Sequence, residues 1–254
     1  MRALVGIVAL AGCDQIYGLD DRIAPDASPD VYARAVLDDS PSAYYRLGET
    51  LGVECMDEIG GPAGTYAGTF ALGSPGAVFD DPDTAVMFGP GDTGVLFGDI
   101  HEFAGTDAFS IEAWVNVTDD TRFNNIVAKY AEPPIATGYV LYAKEGQLTF
   151  ARGVTQANQS LVVYDNFDTN RFVYVVATYD GTSMRLYIDG ALQSENTSAI
   201  ALPDQAVGFT IGSGNGSITS APMEGVLDEV AIYPGALPAT RVSEHFLVGR
   251  TPPI

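Results

Sequence analysis

The 254-residue chain is poor in the side chains that most often carry catalysis and cross-linking. It has two cysteines, two histidines and one tryptophan. Basic residues are scarce too: 12 Lys and Arg stand against 33 Asp and Glu, a formal net charge of −21. Nucleic acid phosphate repels such a surface, which excludes a nucleic-acid partner. The cysteines at 13 and 55 and the histidines at 101 and 245 cannot be assembled into a zinc site of ordinary spacing. Neither His101 nor His245 neighbours a Gly-x-Ser-x-Gly elbow, so a serine-hydrolase triad has no foundation and both read as packing or surface residues. "GSGNG" (212–216) is followed by no lysine and is read as a turn, not a phosphate loop. Long hydrophobic runs are missing as well. The uncharged opening stretch, residues 3–11, would reach about 14 Å as a helix, half the roughly 30 Å of a bilayer core.

That opening, "MRALVGIVALAGCDQ", has the layout of a short export signal: Arg2, an apolar stretch, then small residues. Leu10-Ala11-Gly12-Cys13 resembles a bacterial lipobox. The resemblance implies cleavage after residue 12 and acylation of Cys13, leaving a lipoprotein anchored by fatty acyl (palmitate-type) chains. The alternative is a shortened N-terminus with an incidental cysteine. Each buried methylene contributes about 0.8 kcal/mol, so two or three chains give stable attachment. Residues 13–31 then comprise the lipidated cysteine and an Asp- and Pro-rich tether of roughly 20–25 Å mean extension. Location in the cell envelope, on the exported side of the inner or outer membrane, follows from the same resemblance. With Cys13 acylated, Cys55 has no disulfide partner and reads as a small buried residue.

The body, residues 32–250, reads as strands. In "FSIEAWVNV" (109–117) Phe109, Ile111, Ala113, Val115 and Val117 alternate with Ser110, Glu112 and Asn116, the period of a half-buried strand. "GYVLYAKEGQLTFAR" predicts a hairpin turning at 144–146. "FVYVVATYDGTSMRLYIDGALQ" predicts three strands turning at Asp180-Gly181 and Asp189-Gly190, since glycine accepts positive φ. "VGFTIG" (207–212) and "GVLDEVAIY" (225–233) add two more. Only 238–249 reads as helix, with Val242 and Phe246 four apart and Gly249 as its stop. The fold class expected is all-β: a two-sheet antiparallel β-sandwich of jelly-roll form with a short C-terminal helix.

The order "AYYRLGE", "DDPDTAVMFGP", "FSIEAWVNV", "RFVYVVATYDGTSMRLYIDGALQ", "FTIGSGNG", "GVLDEVAIYPGALPATRVSEHF" resembles the laminin-G-like branch of the concanavalin A-like lectin/glucanase superfamily over residues 32–249. The resemblance implies the same sandwich. It also implies a structural Ca²⁺ ion held by an Asp of the late strand and an Asp of an early Gly-rich loop, which map here to Asp228 and Asp57. Independently of it, alternation in "VLDEVAIY" sets Asp228 on the side of Val226, Val230 and Ile232, with Leu227, Ala231 and Tyr233 making the other side apolar too, so the strand reads as covered on one face or on both. If the Asp228 side is the core, a buried carboxylate needs a partner. A metal ion would serve, with six to eight oxygen ligands. Backbone N–H donors capping a turn would serve as well. The cluster Asp80-Asp81-Pro82-Asp83 reads as metal-binding or as a solvated turn.

Glucanases of this superfamily place two or three carboxylates on alternate positions of one strand. This chain has no such triplet. Glu112 stands alone in its strand, and Glu224 and Asp228 are four apart. The function expected is therefore a non-catalytic cell-envelope module that binds a glycan or an envelope protein. Its rivals are an envelope structural protein without a ligand, and a divergent glycoside hydrolase using Glu112 or Asp228. Sugar faces stack on aromatic rings, and Tyr130, Tyr164 and Phe167 are the ring candidates, each equally readable as packing.

Overall fold

A computed structural model describes residues 31–250. Cys13, the expected signal and all of the expected tether but Val31 lie outside the described residues. Helix α1 spans Val31–Asp38 and α2 Ala239–Arg250. Between them run β1 (Ala43–Tyr45), β2 (Glu54–Cys55), β3 (Gly64–Pro75), β4 (Thr84–Leu96), β5 (Phe109–Val117), β6 (Asn124–Ala131) and β7 (Thr137–Lys144). There follow β8 (Gln147–Thr155), β9 (Asn158–Tyr164), β10 (Val173–Tyr179), β11 (Ser183–Ile188), β12 (Ala191–Thr197), β13 (Thr210–Ile211) and β14 (Gly225–Tyr233). Every strand pairing is antiparallel, in the order β12-β11-β10-β5-β14-β4-β13-β6-β7-β8-β9. The two-sheet sandwich is as expected. Its two layers share one hydrogen-bonded ladder because β4 changes sheet. The start of β4 pairs with β14 at Val86–Phe88, and its end pairs with β13 at Val95 and Leu96. β3 follows the bend and approaches so closely that a Cβ on Gly68 would lie 2.0 Å from the Asp92 carbonyl oxygen.

The turns obey local chemistry. Glu145-Gly146 and Asp189-Gly190 both hold positive φ, joining β7 to β8 and β11 to β12, as type I′ hairpin turns require. Asp180 accepts the N–H groups of Thr182 and Ser183 at 2.9 and 2.7 Å, closing the β10–β11 turn. "VGFTIG" forms a strand only at Thr210–Ile211, wedged between β4 and β6.

The five alternating residues of β5 lie in one core between the sheets. The other face of β5 is not solvent-facing, contrary to the half-buried expectation: Ser110 and Glu112 are fully buried. The cause is α1, which the sequence reading did not resolve, together with α2. Tyr32, Val36 and Val242 pack with Trp114, Tyr174 and Tyr233 in a second core outside the sheet. Among the described residues no helix is long and apolar enough to cross a membrane.

A candidate ligand-binding groove

Among the described residues, no helix covers the outer face of the second sheet, β6 to β9. A bulge in β6 turns Ile126 and Val127 both into the core and sets the phase of the residues that follow. Ala128, Val140, Ala151 and Leu161 then stand side by side across four strands. One row further along, Tyr130 faces Gly138, Gly153 and Gln159. Two rows back from it, Tyr142 pairs with Asn125. Of the residues in these rows, all but Ala128, Gly138 and Gly153 line a cavity of about 500 Å³, together with Arg122, Phe123, Glu132 and Gln156. Known small-ligand sites fall in the same size range. Phe123 leans on Tyr142 with ring centroids 5.3 Å apart and an interplanar angle of 59°, and the Lys144 ammonium sits 4.6 Å above the Phe123 ring. Arg122 pairs with Glu224 at 2.7 Å. Burial, with Tyr142 and Glu132 alongside, pushes the Tyr130 phenol up, so it remains a neutral hydrogen-bonding group.

Of the three rings expected, only Tyr130 lines this groove. Phe167 is buried in the main core and Tyr164 packs against it. Phe123 and Tyr142 went unrecognised. The available signal was parity in "GYVLYAK": Tyr139 lies in the core and Tyr142 on the opposite face.

The carboxylates suspected of chemistry lie elsewhere. Glu112 is sealed beneath the helices, where it accepts hydrogen bonds from Tyr32 at 2.9 Å, Tyr174 at 2.7 Å and Tyr233 at 2.6 Å, and lies 3.0 Å from His245 Nδ1. Burial alone would raise its pKa. The His245 charge and the donated hydrogen bonds outweigh burial and hold Glu112 below the ordinary carboxylate range. Burial works against the charged form of His245 as well, and Glu112 with Asp39 overcomes it, so the imidazole is raised. His101 is half-buried beside the Tyr45 hydroxyl at 3.1 Å and is lowered to about 4, chiefly by desolvation and then by Lys129. Cys55 is buried and free, and burial pushes its thiol up.

Asp228 corrects the alternation argument. A bulge between Asp228 and Ala231, with Glu229 at φ 55°, resets the phase of β14. Leu227, Val230 and Ile232 face the main core, while Asp228 pairs with Trp114 on the helix-covered side. Its Oδ2 accepts the Ala77 N–H at 2.7 Å, and its buried Oδ1 has no hydrogen-bond partner. Burial pushes Asp228 up to about 8, and Asp83 adds to the rise. The nearby cation is Arg46, 2.6 Å from Asp81, 3.0 Å from Asp83 and 2.8 Å from Glu229. Asp81 and Asp83 therefore form a part-buried ion-pair cluster with Arg46, while Asp80 and Pro82 of the same segment are exposed.

Asp57 caps its own loop, accepting the N–H groups of Tyr44 at 2.9 Å, Ile59 at 3.2 Å and Gly61 at 3.1 Å. As donors to a shared ion the pair fit unequally. Asp228 has a vacant buried oxygen, whereas both Asp57 oxygens already take N–H groups. Among the described residues, no group of three or more His, Cys, Asp or Glu is placed to hold a metal ion.

No curated protein matches the chain in sequence. Several solved structures match in fold. The botulinum neurotoxin serotype D binding domain superposes with a TM-score of 0.61 at 13% identity, over 84% of this chain and 52% of that one. The serotype D ligand-binding domain in complex with N-acetylneuraminic acid gives 0.59 at 12%, over 84% and 52%. The serotype G binding domain gives 0.59 at 13%, over 82% and 51%. The chain thus spans about half the length of these structures and shares their fold. The model of the laminin-G-like family, described as concanavalin A-like lectin/glucanases superfamily, matches residues 89–243, from the sheet-changing β4 into α2. With that match and the sandwich in agreement, the chain belongs to the concanavalin A-like lectin/glucanases superfamily.

Proposed function

We propose that this chain is a non-catalytic carbohydrate-binding module, presented from the cell envelope through an acylated Cys13. The observation that carries it is the groove on the uncovered face of β6–β9, with Phe123, Tyr130 and Tyr142 as ring surfaces and Asn125, Gln156 and Gln159 as polar partners. Aromatic faces meet the C–H faces of sugars, and amide groups meet their hydroxyls. Hydrolysis has little support there. A glycosidase needs two carboxyl groups flanking the scissile bond, and Glu132 is the single carboxylate in the groove's lining. Glu112, the hydrolase candidate in β5, is fully buried. The use of related folds as binding domains is consistent with this assignment.

The test is a glycan array probed with the wild-type chain and with the double variant Tyr130→Ala/Tyr142→Ala. Binding by the first and not by the second is expected, and a wild-type chain that binds no glycan overturns the assignment. The anchor is tested by mass spectrometry of the membrane fraction, where an unmodified Cys13 removes it. A Ca²⁺ ion at Asp228 and Asp57 is a separate proposal. The unpartnered Oδ1 of Asp228 would face the ion, and Asp57 would give up N–H bonds to join it. Calcium should raise the Tm of wild type and leave Asp228→Asn unmoved; no rise in wild type removes the ion.

A further inference from the structure

Resting on the assignment of a glycan groove, we infer that its ligand is a neutral, linear oligosaccharide of more than one sugar ring, stacked on Tyr130 at one end and on Tyr142 at the other. Tyr130 shares a row with Gly138, and Tyr142 lies four residues beyond Gly138 on β7. At about 3.4 Å per strand residue, the two rows are about 14 Å apart. A single ring cannot touch both.

The space between the rows is a trough, not a wall. Its floor is Val140 and Ala151, both short, with Ala128 packed beside them. The open side of Tyr130 has a backbone cause. A Cβ on Gly138, whose φ is +116°, would lie 2.1 Å from the Lys129 carbonyl oxygen, so that position excludes any side chain. The next residue in the row is Gly153. Two glycines in succession put no side chain of their own beside the Tyr130 ring, and Gln159 closes the row, its Cβ 2.6 Å from where a Cβ on Gly153 would stand. Tyr142 is backed by Phe123 at 5.3 Å, which fixes one ring face and leaves the groove side for ligand.

Charge selects against acidic sugars. The groove's carboxylate, Glu132, lies at the Tyr130 end, and the two cations at the Tyr142 end, Arg122 and Lys144, are already paired with Glu224 at 2.7 Å and Glu145 at 3.3 Å. The chain's formal charge of −21 adds long-range repulsion.

The experiment uses an array of linear oligosaccharides from one to six units. Neutral gluco-, xylo-, manno-, galacto- and N-acetylglucosamine series stand beside galacturonate and sialylated series, with calorimetry on the best series. Affinity should rise by about tenfold or more between one unit and three, then level off. Tyr130→Ala and Tyr142→Ala should each remove that gain, while Tyr130→Phe and Tyr142→Phe, which keep the rings, retain most of it. Length-independent binding, or tighter binding of the acidic series, overturns this inference and leaves the module intact. Glycan binding that survives both alanine variants places the site elsewhere and also overturns it. Absence of binding to every glycan overturns the module itself. Circular dichroism of each variant confirms that a loss of binding is not a loss of fold.

Discussion

On the outer face of the sheet formed by β5, β10 and β14, three tyrosines and a histidine converge on the fully buried Glu112. On the outer face of β6–β9, two tyrosines stand half-open around a cavity. The residue types overlap and the roles are opposite. Under the helices each phenol spends its hydroxyl on the carboxylate, and the rings pack against Trp114 and Phe246, as at 5.1 and 5.9 Å for Tyr174. In the groove Tyr130 and Tyr142 have Gly138, Gly153, Ala128 and Ala151 for neighbours, and part of each ring surface is left for something else. Coverage, more than composition, separates a sealed aromatic cluster from an open groove.

The strongest way to break this comparison is Glu112→Ala. It would leave the charged His245 and three hydroxyls without their acceptor inside the protein, and a loss of about 3–5 kcal/mol is expected in urea unfolding. Glu112→Gln, which keeps shape and some acceptor capacity, should lose less. A change below about 1 kcal/mol for Glu112→Ala would mean that the network does not hold the helices. The groove variants should behave oppositely. Tyr130→Ala or Tyr142→Ala should weaken oligosaccharide binding about tenfold while shifting unfolding free energy by less than about 1 kcal/mol.

The pH dependence sharpens the same contrast. His245 is raised in the folded chain, so its stabilisation is complete below the unfolded histidine value, about 6.5, and is lost as pH rises through the folded value. Glu112 is lowered, so its stabilisation is complete above about 4.3 and is lost as pH falls through the folded value. The difference in unfolding free energy between wild type and His245→Gln, in which His101 and the other groups cancel, should be largest between those two pH values and shrink on either side. A difference flat across pH would show that the pair is not ionised. The smallest expected effect is optical. Trp114, the one tryptophan, is buried on the helix-covered face, so its fluorescence should report loss of α1 or α2 and stay unchanged when oligosaccharide enters the groove.

Strand identity was legible where chemistry is local. The Asp-Gly turns at 180–181 and 189–190 fixed three strands, and alternation in 109–117 fixed a fourth and its core face. Alternation failed at Asp228, since a two-residue bulge shifts phase without a marker in composition. It misled at Glu112 because nothing local says that a polar face will be roofed. Asp81 and Asp83 were visible as a cluster, but their partner Arg46 lies 35 residues before the first of them and reaches it only through the fold. The groove was the least legible part. β6 and β9 gave no clear period, and Tyr142 acquires meaning only when β7 is set beside Asn125 and Phe123.

By itself, then, the sequence determined the all-β architecture, the hairpins and the terminal helix, because turn chemistry and two-residue periodicity act over a few bonds, and the order of its segments carried the resemblance to the superfamily. Tertiary structure alone decided which polar residues are buried and which tyrosines stay open. Those outcomes depend on α1 and α2, about 200 residues apart, meeting on one face of the sandwich while none of the described residues forms a helix over the other. Burial is a property of surfaces brought together across the chain, and no window of sequence contains it.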